Sequence, residues 1–261
     1  MDPKERRQKI LDLLNENEGK LSLKDLGSYF DISQSALYKD LDVMEKQRLI
    51  KKTYGGFELT DIEAKKHDFY TSLQVNSRQK IAIAKKAANL VKNNETIFVD
   101  GSSTSFYFCD ELKKADLKNI TIVTNSLFIP QEFLVEENFN VICTGGMLNK
   151  EIGTFGGDLW ENIMLNNLNA GKFFFSSYGI SLEIGALDPF IPGDTSMKKA
   201  FAAKSSKNVC LADSGKFKIN GTINWIGFEN IDILITDNLI EEDFVKKLEE
   251  KNIDVIIAGL K

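Results

Sequence analysis

The sequence predicts a two-part α/β protein: a small helical module closed by a hairpin, then a larger domain whose sheet is mostly parallel. Three observations carry that expectation. Within the first sixty residues, apolar positions recur three times at helical spacing and then alternate around Gly55-Gly56. From Thr96 onward, short apolar runs alternate with helical segments, the pattern of a sheet with helical crossovers. The residues that follow those runs are small, polar or glycine, which is how strand ends that meet a ligand read.

Composition sets the bounds. A chain of 261 residues, 43% hydrophobic and 27% charged, has the make-up of an ordinary globular protein and the length for one large or two unequal domains. No apolar run approaches the length of a bilayer span, so no membrane partner is expected. The stretch Met1-Asp2-Pro3-Lys4-Glu5-Arg6-Arg7 lacks the apolar core of a signal peptide, which predicts a cytoplasmic protein. Cys109, Cys143 and Cys210 are widely spaced in apolar surroundings and read as buried free thiols. The single histidine, His67, lies in a polar connector and reads as solvated. Neither a metal site nor a cofactor is expected.

In the first segment, Ile10, Leu11, Leu13 and Leu14 mark a helix that stops near Glu18-Gly19. Ser22 and Asp25 form a capping pattern that starts a second helix, whose buried face continues at Leu26 and Phe30. After the turn Asp31-Ile32-Ser33, a third helix capped by Ser33 turns Leu37, Leu41 and Met44 inward. Ser35, Tyr38, Lys39 and Asp42 then share the outward face. Residues 48–59 alternate around the glycine pair as a short hairpin. Together these elements predict a winged helix-turn-helix over residues 1–60, whose third helix enters the major groove of double-stranded DNA. The candidate DNA contacts are Ser33, Gln34, Ser35, Tyr38 and Lys39 on the third helix and its cap, with Arg48, Lys51 and Lys52 at the wing. The alternative is a three-helix bundle for protein contacts. Total charge does not separate the two, since 11 basic and 11 acidic residues cancel over Met1 to Thr60. The distribution of charge favours DNA: Arg6, Arg7 and Lys9 cluster before the first helix, while Arg48, Lys51 and Lys52 cluster at the wing, where phosphate contacts would be made.

Residues 61–75 are charged and aperiodic, in part helical, and form the expected linker to a domain over 76–261. A helix over Arg78 to Val91 turns Ile81, Ala84, Ala88 and Val91 inward. The expected strands are Thr96–Val99, Ile120–Val123, Val141–Cys143, Phe173–Phe175, Val209–Leu211, Ile231–Ile235 and Val255–Ala258. The first delivers Asp100-Gly101-Ser102-Ser103-Thr104 to a helix start, where unpaired N–H groups and the positive end of the dipole favour an anion. Later strand ends read Thr124-Asn125-Ser126, Thr144-Gly145-Gly146, Ser176-Ser177-Tyr178-Gly179, Asp213-Ser214-Gly215-Lys216 and Thr236-Asp237-Asn238. The candidate site therefore comprises Asp100, Ser102, Ser103, Thr104, Asn125, Gly145, Gly146, Lys198, Asp213 and Lys216. In this reading Ser102, Ser103 and Thr104 take the phosphate of a phosphorylated sugar. Asp100, Asn125 and Asp213 take its hydroxyls, and Lys198 or Lys216 supplies the charge. No Gly-rich dinucleotide fingerprint and no Gly-Lys-Ser/Thr follows the first strand.

These residues resemble the DeoR-type transcriptional regulators along nearly the whole chain. In the first part the resemblance rests on Arg7, Ile10, Ser33 through Leu41, Leu49 and Tyr54-Gly55-Gly56. In the second it rests on Asp100 to Thr104, Thr124-Asn125-Ser126, Gly145-Gly146, Gly156-Gly157, Gly179-Ile180, Lys198, Asp213 with Lys216-Phe217, and Asp232 to Asp237. It implies a sugar-phosphate-sensing domain related in fold to ribose-phosphate isomerases and glucosamine-phosphate deaminases, usually without catalysis. It further implies a cytoplasmic bacterial regulator, commonly a repressor of a sugar uptake or catabolic operon. Half-site recognition by such modules calls for a homo-oligomer, a dimer or a tetramer. Four positions depart from the family pattern: Tyr38-Lys39 stands where an arginine pair is usual, Ala36 where a threonine is usual, and Ser196 where a carboxylate is usual. The rival expectation is an isomerase or deaminase with an appended interaction domain, using Asp100, Glu183 or Asp213 as acid or base.

Overall fold

The computed structural model describes residues 2–17, 19–30, 32–46, 49–59, 68–157, 167–189 and 193–260. The chain divides into two compact units, Met1–Val75 and Asn76–Lys261.

The first unit runs α1 (Pro3–Glu16), β1 (Lys20–Leu21), α2 (Leu23–Tyr29), α3 (Gln34–Lys46), β2 (Ile50–Thr53), β3 (Gly56–Leu59) and α4 (Phe69–Gln74). Ser22 caps α2 by accepting from the Asp25 amide at 3.1 Å, and the Ser33 hydroxyl accepts from the Ala36 amide at 3.3 Å to start α3. Ile10, Leu11 and Leu14 of α1, Leu26 of α2 and Leu37, Leu41 and Met44 of α3 close one core, completed by Phe30, Leu49, Ile50 and Phe57. The wing is an antiparallel sheet in the order β1-β3-β2, with Lys51 opposite Glu58 and Lys52 opposite Phe57. The winged helix-turn-helix follows from the sequence as expected.

One part of the charge reading is corrected. Arg6 and Arg7 lie inside α1, and both are drawn to Asp40, a buried carboxylate on the inner side of α3; Arg6 Nε lies 2.5 Å and an Arg7 terminal nitrogen 3.1 Å from it. A buried carboxylate needs a cation beside it, and these guanidiniums are the cations within reach. They fasten α1 to α3. Lys9 remains exposed.

The second unit opens with α5 (Ser77–Ala88), β4 (Thr96–Val99), α6 (Ser103–Lys114), β5 (Ile120–Thr124) and β6 (Phe139–Cys143), followed by a hairpin of β7 (Met147–Asn149) and β8 (Thr154–Gly156). It continues with β9 (Lys172–Phe175), β10 (Gly179–Ser181), β11 (Gly185–Asp188), α7 (Asp194–Ala203), β12 (Asn208–Leu211), β13 (Ile223–Ile226), β14 (Ile233–Asp237), α8 (Glu242–Glu249) and β15 (Asp254–Ala258). Seven strands form one sheet in the order β15-β14-β12-β9-β4-β5-β6, parallel at every step. From β4 the chain winds outward through β5 to β6; from β9 it winds the other way through β12 and β14 to β15. The switch between the two directions falls between β4 and β9, the place where open parallel sheets receive ligands.

Alternation along β9 shows how the sheet is covered. Phe174 stacks on Phe108 of α6 with ring centroids 4.3 Å apart, whereas Phe173 and Phe175 point to the other face, against Phe201 of α7 and Trp225 of β13. Both faces are thus buried, which is why these strands read as continuous apolar runs.

The expected parallel strands are all present; β5, β6, β9, β12 and β15 each run one or two residues longer than expected, and β14 is shifted to Ile233–Asp237, so Ile231 precedes it. Two small antiparallel sheets were not anticipated, β10-β11-β13 and the β7-β8 hairpin. Ile83 takes the fully buried place on α5 that was expected for Ile81, which is only half-buried. Cys109 and Cys210 are buried free thiols, but Cys143, the last residue of the edge strand β6, is exposed. His67 lies outside the described residues. No helix of the described residues is long and apolar enough to cross a membrane.

Candidate functional site

Each unit carries a candidate site. On α3, burial of Leu37, Leu41 and Met44 forces Gln34, Ser35, Tyr38, Lys39 and Asp42 to the exposed face. The Ser33 and Ser35 hydroxyls bond to each other at 3.0 Å and hold the start of that face. At the wing, Lys51 and Lys52 are both exposed but differ electrostatically. Lys51 Nζ lies 3.3 Å from Glu58, which also pairs with Lys20 at 3.0 Å, and the Lys20 hydrogen bond leads in holding the Glu58 carboxyl below its ordinary range. Lys52 makes no ion pair among the described residues, so it presents a whole charge to a phosphate. Arg48 lies outside the described residues.

In the second unit the site is built around the switch point. Asp100, at the end of β4, is fully buried. One carboxylate oxygen accepts from the Ser102 amide at 3.2 Å and from the Ser102 and Ser105 hydroxyls. The other accepts from the Ser176 amide at 3.0 Å, across the switch from the end of β9, and lies 3.5 Å from Lys198 Nζ. Both Asp100 oxygens, expected to take sugar hydroxyls, are here engaged by the protein itself, and the residue ties the two halves of the sheet together. Gly101 has a steric reason, since a Cβ there would sit 2.3 Å from Cγ2 of Thr154 on β8. Ser102 caps α6 by accepting from the Ser105 amide at 3.2 Å. The amides of Ser103 and Thr104 in the first turn have no hydrogen-bond partner among the described residues, and the buried hydroxyl of Thr104 has none either.

Lys198 is likewise committed inward. Its ammonium donates to the Ser176 carbonyl at 3.0 Å and to Asp188 at 2.8 Å, and it lies 5.3 Å from the Trp225 ring centre. Burial works to lower its pKa, but Asp188, Asp100 and Asp194 together outweigh burial and hold it above the ordinary lysine value. Asp194, one helical turn before Lys198 on α7, is pushed up by its own burial, with Lys198 opposing. Lys198, expected as a charged contact to phosphate, here serves as counter-ion to three buried carboxylates. Asn125, at the end of β5, donates to the Phe155 carbonyl at 3.2 Å and reaches Asp194 at 3.5 Å, while its buried Oδ1 has no partner.

A second group lies at the end of β12. Asp213 is buried and accepts from Asn76 Nδ2 at 2.6 Å and from the Gly215 amide at 3.2 Å. Lys216, in the 3-10 turn Ser214–Lys218, donates to the Ser177 carbonyl, one residue from the Ser176 that meets Asp100. The structure thus joins Asp100 to Ser102 and Lys198 directly and sets Lys216 on the adjoining Ser177, while Asn125 is tied to Phe155 and Asp194, and Asp213 to Asn76 and Gly215. Gly145 (φ +68°) and Gly146 (φ +112°) turn the chain from β6 into the hairpin, a conformation glycine adopts without strain. No contact links them to the other candidates among the described residues; their part is to let Thr154 and Phe155 lie over the loops after β4 and β5.

Sequence reasoning missed Asp188, Asp194, Asn76 and Lys80. For Asp194 a signal was present, a carboxylate at i, i+4 from Lys198. Lys80 is buried on α5, and burial, with Lys216 adding and Asp213 opposing, brings its pKa down to about 7 from 10.5. The unfolded chain therefore binds more protons at this position between those values, so its contribution to stability rises with pH there by up to about 1.4 kcal/mol per pH unit and falls to its floor below neutral. Urea unfolding at pH 7, 8 and 9 should show that slope in the wild type and its loss in Lys80→Met. Equal slopes would mean that Lys80 keeps its ordinary affinity for protons.

Comparison with known proteins bears on both sites. Residues 6–63 match the DeoR-like helix-turn-helix domain and residues 75–238 the DeoR C terminal sensor domain. The chain is 36% identical to the HTH-type transcriptional regulator GolR of Listeria innocua, over 99% of this chain and 100% of that protein. It is 28% identical to the L-fucose operon activator of Haemophilus influenzae, over 97% and 99% of the two chains. To the Lactose phosphotransferase system repressor of Lactococcus lactis it is 27% identical, over 96% and 97%.

Proposed function

The chain belongs to the DeoR family of transcriptional regulators, and from that membership we propose that it represses a sugar uptake or catabolic operon until a phosphorylated sugar fills the strand-end site. It is a DNA-binding regulator with a small-molecule sensor domain, and not an enzyme. The observation that carries the DNA side is the solvated face of Gln34, Ser35, Tyr38 and Lys39 on α3, with Lys51 and Lys52 at the wing of the same unit. Symmetric operators need two such faces, so the working form is a homo-oligomer in the cytoplasm, where its target DNA is.

On the sensor side, the phosphate takes the free amides of Ser103 and Thr104 with the positive end of α6 behind them. Lys216 supplies the charge, because Lys198 is occupied by three carboxylates. Asn125, whose Oδ1 has no partner, and Asp213 take hydroxyls. Against the isomerase alternative, Asp100 is fully satisfied, Glu183 sits on an exposed turn between β10 and β11, and Asp213 is held by Asn76 and the Gly215 amide. The repressor sign is supported by the lactose regulator, while the fucose regulator is named an activator, so the direction of the response is a matter for measurement.

The test is a duplex selected from a random library by the full chain. Lys52→Ala should weaken binding to selected and unrelated duplexes alike and lower the salt slope by about one, while Lys51→Ala should lower it less because Glu58 already shares that charge. Tyr38→Ala should alter base preference and leave the slope alone. A Lys52→Ala protein with altered preference and an unchanged slope would overturn this docking.

A further inference from the structure

Asn76 is the first residue of the second unit, and its side chain does something its position does not require. It stands at the N-cap of α5 with a left-handed backbone, φ +54°, yet makes no capping bond. Its amide instead reaches Asp213, 137 positions away, at 2.6 Å. Asp213 closes β12 beside the switch point, and the oxygen that accepts from Asn76 is the one that accepts from the Gly215 amide. Space there is tight, since a Cβ on Gly215 would lie 3.0 Å from both Asn76 Nδ2 and Asp213 Oδ1. One turn further along α5, Lys80 is buried and feels both Asp213 and Lys216. The first turn of α5 is thereby fastened to a loop of the sensor site, at the residue where the chain passes from α4 into the sensor unit.

We propose that the Asn76–Asp213 hydrogen bond is the latch through which occupancy of the strand-end site reaches the DNA-binding unit. The inference rests on the regulator reading above. A ligand hydroxyl that donates to Asp213 competes with Asn76 for one oxygen. When Asn76 is displaced, the left-handed residue at the start of α5 loses the contact that fixes it, and the direction in which the chain leaves the sensor unit is released. The latched state is the operator-competent one, because an oligomer holds two half-sites only while both chain exits are fixed. Asn76 is thus a positioning residue, and it touches neither DNA nor effector.

The experiment needs no knowledge of the effector. The full-length wild type selects a duplex from a random library. Its affinity is then measured against Asn76→Gly, which removes the amide and keeps the backbone conformation open, Asp213→Ala and the double variant. Each single variant should lose about tenfold in affinity for the selected duplex. The double variant should lose no more than either single one, because both remove the same hydrogen bond. Binding to an unrelated duplex should not change. A merely structural fastening would lower the melting temperature and leave operator affinity untouched, and that result, or additive losses in the double variant, overturns the latch. If the wild type selects no duplex at all, the DNA-binding reading fails and the latch falls with it, a result distinct from a wild type that binds and variants that match it.

Discussion

Lys198→Met is expected to destabilise the sensor unit by about 3–5 kcal/mol, the cost of removing one partner from a buried ion pair. The side chain is nearly fully buried, and its ammonium is the shared counter-ion of Asp188 at 2.8 Å and Asp100 at 3.5 Å, with Asp194 contributing at longer range. Methionine fills similar volume, so the loss is electrostatic more than steric. Three buried carboxylates would then lack a cation, and they must either take up protons or admit water. For a unit of this size the melting temperature should fall on the order of 10 °C. Adding Asp188→Leu should recover part of the loss, since it removes one uncompensated charge, while Asp188→Leu alone should cost less than Lys198→Met because two carboxylates still hold the lysine. Thermal unfolding followed by circular dichroism decides the order. If Lys198→Met melts like the wild type, the lysine is not the counter-ion of this cluster and the phosphate role returns to it.

That prediction marks where the sequence was legible. The strand into Asp100, the hydroxyl run and the cap at Ser102 are local, so the loop could be read from ten consecutive residues. The outward face of α3 was legible for the same reason, because helical spacing alone sorts Leu37, Leu41 and Met44 from Ser35, Tyr38 and Lys39. Pairings between distant residues could not be read. Arg6 and Arg7 look like free basic residues until the fold sets Asp40 beside them, and Lys198 looks like a phosphate ligand until β11 delivers Asp188. The strands β10, β11 and β13 escape a reading that looks for continuous apolar runs, because Gly179 and Gly185 open two of them and Ser181, Asp188 and Asn224 interrupt the three. Asp188 sits at the end of one of these unread strands, so its pairing with Lys198 was hidden twice over.

A phosphorylated sugar should bind the full chain at least a hundredfold more tightly than its unphosphorylated parent, and Lys216→Ala should erase much of that difference while barely changing the parent's affinity. Each charge-assisted contact is worth about 1.5–3 kcal/mol, so one lysine with two helix-start amides accounts for a factor of that size. Lys216 is the lysine with donors to spare: its ammonium bonds to the Ser177 carbonyl, whereas the donors of Lys198 go to Ser176 and Asp188 and its remaining attraction to Asp100. The two lysines therefore separate cleanly by experiment, Lys216→Ala acting on ligand affinity with stability little changed and Lys198→Met acting on stability first. Calorimetry with ribose 5-phosphate, glucosamine 6-phosphate and their parent sugars gives the ratio. Reciprocity then carries the result to DNA, because whatever factor the phosphorylated sugar takes from operator affinity, the operator must take from sugar-phosphate affinity. Weaker operator binding with the sugar phosphate present is the repressor response, and tighter binding would make the protein an activator. Equal affinity for sugar and sugar phosphate would remove the phosphate from the site, and leave the amides of Ser103 and Thr104 as no more than the start of a helix.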